Sequence, residues 1–145
     1  MATTGVFNGT SLVVLIGSEV VAHATSCSLN FSVDLPETTD KQSGGWVEHL
    51  GGAKSWSLTT DGLATVDPAA TASYYTTGEL MTAIANRTAV TLKFTTVSGT
   101  TPVTGDLIWS GSAFIESMDI TADMESPVTY SVSFTGTGAL TQATN

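Results

Sequence analysis

The sequence predicts a mainly β domain, an antiparallel β-sandwich or half-barrel with one short flanking α-helix, on three observations. Several segments alternate apolar and polar residues with a period of two. The polar partners are mostly hydroxyls, and one segment alone has helical spacing behind a capping box. A chain of 145 residues suits a single domain, 1–145, built on one core.

Residues 25–35, TSCSLNFSVDL, alternate most strictly: Cys27, Leu29, Phe31, Val33 and Leu35 against Ser26, Ser28, Asn30, Ser32 and Asp34. That is a strand with one buried and one wet face. The period returns in Lys54, Trp56, Leu58 and Thr60 against Ser55, Ser57, Thr59 and Asp61, then in Val90, Leu92 and Phe94. It returns again in Val128, Tyr130, Val132 and Phe134 against Thr129, Ser131, Ser133 and Thr135. Upstream, Leu12 to Ile16 and Glu19 to Ala22 flank Gly17-Ser18, which suits a tight hairpin because glycine tolerates positive φ.

Residues 113–122, AFIESMDITA, alternate less cleanly. Phe114, Met118 and Ile120 share a face with Glu116 while Ala113 and Ile115 take the other, which indicates a bulge or a strand covered on both sides. Thr76-Thr77-Gly78-Glu79 has capping-box spacing, followed by Leu80, Met81 and Ile84 at helical intervals, so a helix should pack Leu80 and Ile84 on a sheet. Two long connections, 36–52 and 64–75, separate the strands and are candidates for function.

Threonine contributes 26 residues and serine 16, whereas only 12% of residues are charged and the net charge is −9. Four cations make no basic stripe, so adhesive binding of nucleic acid is excluded. The longest apolar run, Leu12 to Ile16, is far short of the roughly 20 residues of a membrane helix, and the start lacks a basic region, which predicts a soluble chain without an export signal or membrane insertion. Cys27, the one cysteine, falls in phase with the apolar face of its strand and reads as a small buried hydrophobe. Asn8-Gly9-Thr10 and Asn86-Arg87-Thr88 match the glycosylation acceptor pattern by chance.

Catalysis finds little to work with. The only imidazoles are His23 and His49, neither in a nucleophile motif, and two histidines with one cysteine make a poor metal shell. Asp119, Asp123 and Glu125 cluster before Pro127 without the spacing of a calcium loop, and no glycine-rich phosphate loop occurs. No catalytic residue, cofactor or metal is expected.

Three stretches together resemble the major tail tube proteins of long-tailed bacteriophages. They are TTDKQSGGWVEHLGGAKSWSLTTDGL, the helical TTGELMTAIANRTAVTLKF, and the closing AFIESMDITADMESPVTYSVSFTGTGAL. The most specific piece is Ser43-Gly44-Gly45-Trp46 followed by Gly51, Lys54-Ser55-Trp56 and Asp61-Gly62; the second is Tyr130 to Gly138. The resemblance implies a structural virion protein that self-assembles into stacked, hexameric rings, the strands of each ring closing a continuous multi-subunit β-barrel that conducts DNA. Its implied partners are further copies of itself, tape-measure, tail-tip and tail-terminator proteins, and DNA in transient, non-adhesive passage. The implied location is the virion tail, after assembly in the host bacterial cytoplasm.

On that resemblance the wet-face residues Ser28, Asn30, Ser32, Asp34, Ser57, Thr59, Asp61, Ser131 and Ser133 line the lumen. The connection 36–52 reaches a neighbouring subunit or ring, with Trp46 as an aromatic anchor and Lys41, His49 and Lys54 in the interface. An arm, 1–10, and a tail, 139–145, order on assembly. The competing readings are a virion decoration or carbohydrate-binding module using Trp46 and Trp109, and a hydrolase using Asp119, Asp123 or Glu125.

Overall fold

The structure, a computed structural model, describes residues 5–6, 9, 12–21, 24–65, 74–97 and 103–144. The N-terminal arm falls largely outside these residues, as do His23, most of the 64–75 connection and the first acceptor triplet. Along the chain the elements are β1 (Leu12–Ile16), β2 (Glu19–Val21), β3 (Ala24–Val33), β4 (Lys54–Leu63), β5 (Tyr74–Tyr75), α1 (Thr77–Ala85), β6 (Val90–Thr96), β7 (Leu107–Thr121) and β8 (Thr129–Thr144).

Among the described residues all eight strands belong to one mixed sheet in the order β3-β4-β8-β7-β6-β1-β2-β5. The fold is mainly β with one short helix, as expected; of the two forms expected the open, unclosed sheet corresponds to the half-barrel, and β2 with β5 forms a parallel pair among otherwise antiparallel ladders. The first hairpin turns at Gly17, whose φ of 66° suits a two-residue loop. No helix among the described residues is long and apolar enough to cross a membrane.

The core lies on the face of the sheet that carries Val14, Ile16, Leu58, Leu92, Phe94, Val132 and Phe134, with α1 packed on it. Thr76 caps α1 by accepting from the Glu79 backbone N–H, and the Glu79 carboxylate accepts from the Thr76 N–H at 2.7 Å, the reciprocal box that the spacing predicts. Leu80 is fully buried as expected, but its companion inside is Ala83; Ile84 is half-buried and Met81 exposed.

Bulges explain where the alternation misleads. The β7–β8 register shifts between Ile115 and Ser117, leaving Glu116 unpaired, so Ala113, Ile115, Met118 and Ile120 share the core side and Phe114 moves to the hydroxyl side. A second shift lies between Ser110 and Ser112, opposite Gly138 with its φ of 80°. Beyond it β8 continues to Thr144, paired to β7 from Leu107 onward. Residues 139–144 are therefore strand rather than tail.

Trp56 is buried where β4 meets this bend. Its indole lies across β8 and β7, and its Nε1–H donates to the Gly138 carbonyl at 3.2 Å. A Cβ at Gly136 would fall inside the indole, and one at Gly111 would come within 2.6 Å of its Cζ2. Both glycines have ordinary φ, so they are required for space and not for backbone conformation. Gly136→Ala should cost about 1–3 kcal/mol by overpacking, and Trp56→Ala about 3–5 kcal/mol, read as shifts in the midpoint of urea unfolding.

Candidate functional site: a hydroxyl face and a projecting arm

Register places the wet-face residues side by side. Ser28 is opposite Thr59, Asn30 opposite Ser57, and Ser26 opposite Asp61; Thr59 is opposite Ser133 and Asp61 opposite Ser131. On the next strand Ser133 pairs with Ser117 and Ser131 with Asp119. Eight of the nine sequence-predicted positions, Asp34 aside, thus share one face of the four-strand unit β3-β4-β8-β7. Asp34 lies just past β3, where its N–H donates to the Ala53 carbonyl at 2.8 Å and its own carbonyl accepts from the Gly52 N–H at 2.7 Å.

Two carboxylates on this face accept from hydroxyls. Ser26 Oγ donates to Asp61 Oδ2 at 3.0 Å, and Thr135 Oγ1 donates to the bulged Glu116 at 2.6 Å. Ser32 and Ser55 hydroxyls meet at 2.8 Å. Across these four strands the face combines hydroxyl, amide and carboxylate groups, so it presents hydrogen-bonding groups to a polyanion with no cation to hold its phosphates. Glu116, Ser117 and Asp119 belong to it as well; Ser117 and Asp119 are placed there by the register of β7 on β8, and Glu116 by its hydrogen bond from Thr135, neither of which the alternation of 113–122 alone supplies.

The 36–52 connection is a ladder-bonded arm. Leu50 N–H donates to Pro36 O, Glu37 bridges His49, and Thr38 N–H donates to Glu48 O. At its tip the Asp40 carboxylate accepts from the Gln42 N–H at 2.8 Å and the Ser43 hydroxyl at 3.2 Å, before Gly44 and Gly45 turn the chain at positive φ. Lys41, Trp46 and His49 stand on this arm and Lys54 at its root, all exposed. In the Nδ1–H tautomer His49 donates to Leu35 O at 3.3 Å.

Trp46 is 79% exposed, so it does not staple its own loop. Val47, Leu50 and Leu35 are also exposed, and the apolar side of β3 continues the strip through Phe31, at 53%, and Val33. Such a strip is unusual on an isolated domain. Trp109 differs from Trp46: half-buried, it packs against Phe94 with centroids 6.0 Å apart and donates from Nε1 to Gln142.

Asp119 sits in β7 beside Ser131, while Asp123 and Glu125 occupy the exposed turn after it. No group of three or more His, Cys, Asp or Glu side chains among the described residues is placed to hold a metal ion. Cys27 borders an apolar cleft of about 650 Å³ with Leu12, Val14, Val21 and Tyr74. Burial raises its thiol pKa, which makes it a poor nucleophile.

An open β sheet with one short helix, a hydroxyl face and a projecting apolar arm describes a subunit built for assembly. Residues 8–142 match the family model for the phage tail tube protein, and the chain belongs to that family of structural virion proteins. No curated protein sequence matches the chain.

Among solved structures it is similar to a chain in the virion of a native gene transfer agent particle, with 19% identity, 95% of this chain and 99% of that one covered, and a TM-score of 0.75. It is also similar to a chain in the tail of an empty gene transfer agent particle refined with C6 symmetry, with 20% identity, 95% and 99% coverage, and a TM-score of 0.73. The SPP1 tail tube matches at 15% identity over 95% of this chain and 79% of that chain, with a TM-score of 0.71. These likenesses establish the fold.

Tyr130 provides a check on the packing under the hydroxyl face. Burial, and secondarily the Asp61 carboxylate, push its phenol up to about 12. A folded-state pKa above the unfolded value near 10 means that its contribution to stability is complete below about pH 10 and lost as pH rises toward 12. Ultraviolet titration of the three tyrosines should show one ionising last, together with alkaline unfolding.

Proposed function

We propose that copies of this chain join edge to edge into a hexameric ring whose hydroxyl faces line a lumen, and that rings stack into the tail tube through which DNA passes. The observation that carries the reading is the four-strand unit β3-β4-β8-β7, with its hydroxyl face and two free edges. Among the described residues β3 has only β4 as a strand partner, and β7 beyond Ala113 has only β8.

Successive antiparallel pairings make β3 and β7 run in opposite directions. Rotation about a ring axis preserves strand direction along the axis, so β3 of one copy meets the β7 edge of the next in antiparallel sense. That contact continues both faces of the sheet and covers Phe31 and Val33. It also removes the edges that would template aggregation, which explains long strands with little protective charge.

In the ring Ser28, Asn30, Ser32, Asp34, Ser57, Thr59, Asp61, Ser131 and Ser133 face the channel. Hydroxyls and carboxylates without cations let a polyanion pass without binding. The arm, with Lys41, Trp46, His49 and Lys54, contacts an adjoining copy. The C6 symmetry of the empty gene transfer agent tail supports six copies. Likeness to a chain in a baseplate and to one in a tube-terminating cap, both of an anti-feeding prophage, supports initiating and terminating partners at the ends of the tube. The mature site of action is the virion tail, with assembly in the bacterial cytoplasm.

Electron microscopy over a concentration series tests this. Hollow tubes or stacked rings are expected, and particles of monomer size at every concentration would refute it. Phe31→Lys, on a half-exposed side chain, should leave the melting temperature of the monomer near that of wild type and abolish ring closure.

A further inference from the structure

Resting on that tube reading, we propose that the turn joining β7 to β8, residues 122–128, is the docking site for the arm of the next copy along the tube, with Met124 received against Trp46.

The two features stand at opposite ends of the same strands. The arm leaves where Val33 pairs with Lys54; the turn lies beyond the pairs Leu63–Thr129 and Thr121–Thr129, and Ala64 N–H donates to Val128 O there at 2.8 Å. Ten-residue strands at about 3.3 Å per residue separate them by roughly 30 Å. In a barrel whose strands run between the two faces of a ring, one end carries the arm and the other the turn. Stacking brings unlike ends together.

Each end exposes large apolar groups that its own chain leaves uncovered. At the turn Met124 is 92% exposed, with Ile120 at 46% and Val128 at 39%; at the arm Trp46 is 79% exposed, with Val47 and Leu50 beside it. A flexible thioether against an indole is a favourable and shape-tolerant contact. Asp119, Asp123 and Glu125 give the turn end three carboxylates and no cation, while two of the four cations of the chain, Lys41 and Lys54, are at the arm end. Asp34, Glu37, Asp40 and Glu48 also lie on the arm, so attraction is local to the lysines and apolar burial dominates the contact.

Glu125 holds a φ of 62°, a left-handed conformation that glycine adopts without strain. A strained, exposed, non-glycine turn residue is a conformation kept for what it presents.

The test pairs Glu48→Cys with Asp123→Cys, which flank Trp46 and Met124 and leave both side chains in place, in a Cys27→Ala background. Oxidised tubes should run on a non-reducing gel as a ladder of covalently linked chains, and dilute monomers, with the two sites at opposite ends of one sheet, should not. Tubes that form normally yet give no ladder, with this pair or with Glu48→Cys and Ser126→Cys, overturn the docking site alone. Wild-type protein forming neither rings nor tubes overturns it together with the tube reading. Glu125→Gly relieves the backbone, so the monomer should melt at or above the wild-type temperature while tubes shorten toward single rings. Tubes of wild-type length from Glu125→Gly, with no ladder from the cysteine pairs, would place the contact elsewhere.

Discussion

The indole of Trp56, laid across Gly136 and reaching Gly111, sets where the core of this sheet ends. On one side of it Leu58, Val132 and Phe134 are fully buried against the rest of the apolar face. On the other side its cross-strand neighbour Phe31 is half-exposed, and the apolar residues that follow, Val33 and Leu35, are exposed as well. A ring of that size bonded to Gly138 fixes β4 against the bend of β8, where two glycines keep the backbone close enough to accept it. The same contact therefore stabilises the monomer and leaves an apolar strip beyond it that one chain cannot bury.

A sheet of that kind has different requirements on its two faces. The core face holds branched and aromatic side chains; across β3-β4-β8-β7 the opposite face is hydroxyl, amide and carboxylate apart from Phe114, with Asp61 and Glu116 accepting from Ser26 and Thr135. Surface lysines on a free domain would supply solubility, but on the proposed lumen face they would hold a passing polyanion. Hydroxyls bind water and one another in short cross-strand pairs, and they leave the face polar without giving it a cation. Low charge on long strands is tolerable only when their edges are covered, so the composition of the wet face and the open edges belong to one constraint.

Most of this was legible in the sequence because period-two alternation maps directly onto faces. Residues 25–33, 54–63 and 129–135 lie where their alternation puts them, and the capping box at Thr76 marks the helix start to the residue. The broken alternation of 113–122 points to a bulge, and Glu116 is left unpaired there. Alternation alone does not say which residues then change face, so the placing of Phe114 and Glu116 with the hydroxyls comes from the register of β7 on β8. The strand from Leu107 to Ser112 and its partners at Thr137 and Thr141–Thr144 carry no unbroken alternation, because Gly111 and Gly138 interrupt it; here one makes room for Trp56 and the other turns a bulge. The exposure of Met124 is invisible locally, since a methionine in a turn carries no mark of what it meets.

Ring and tube follow from the difference between the two proposed contacts. Both are heterologous: an edge of one kind meets an edge of another, and an arm meets a turn. The lateral contact repeats by rotation about an axis and closes after a fixed number of copies, so it stops by itself. The axial contact repeats by translation along that axis and never closes, leaving one face of arms and one face of turns at the two ends at any length. Growth limited only by supply needs other proteins to begin and end it, and those proteins must present opposite chemistries. One end must receive Trp46 and the lysines, and the other must offer an apolar group to Met124 beside three carboxylates.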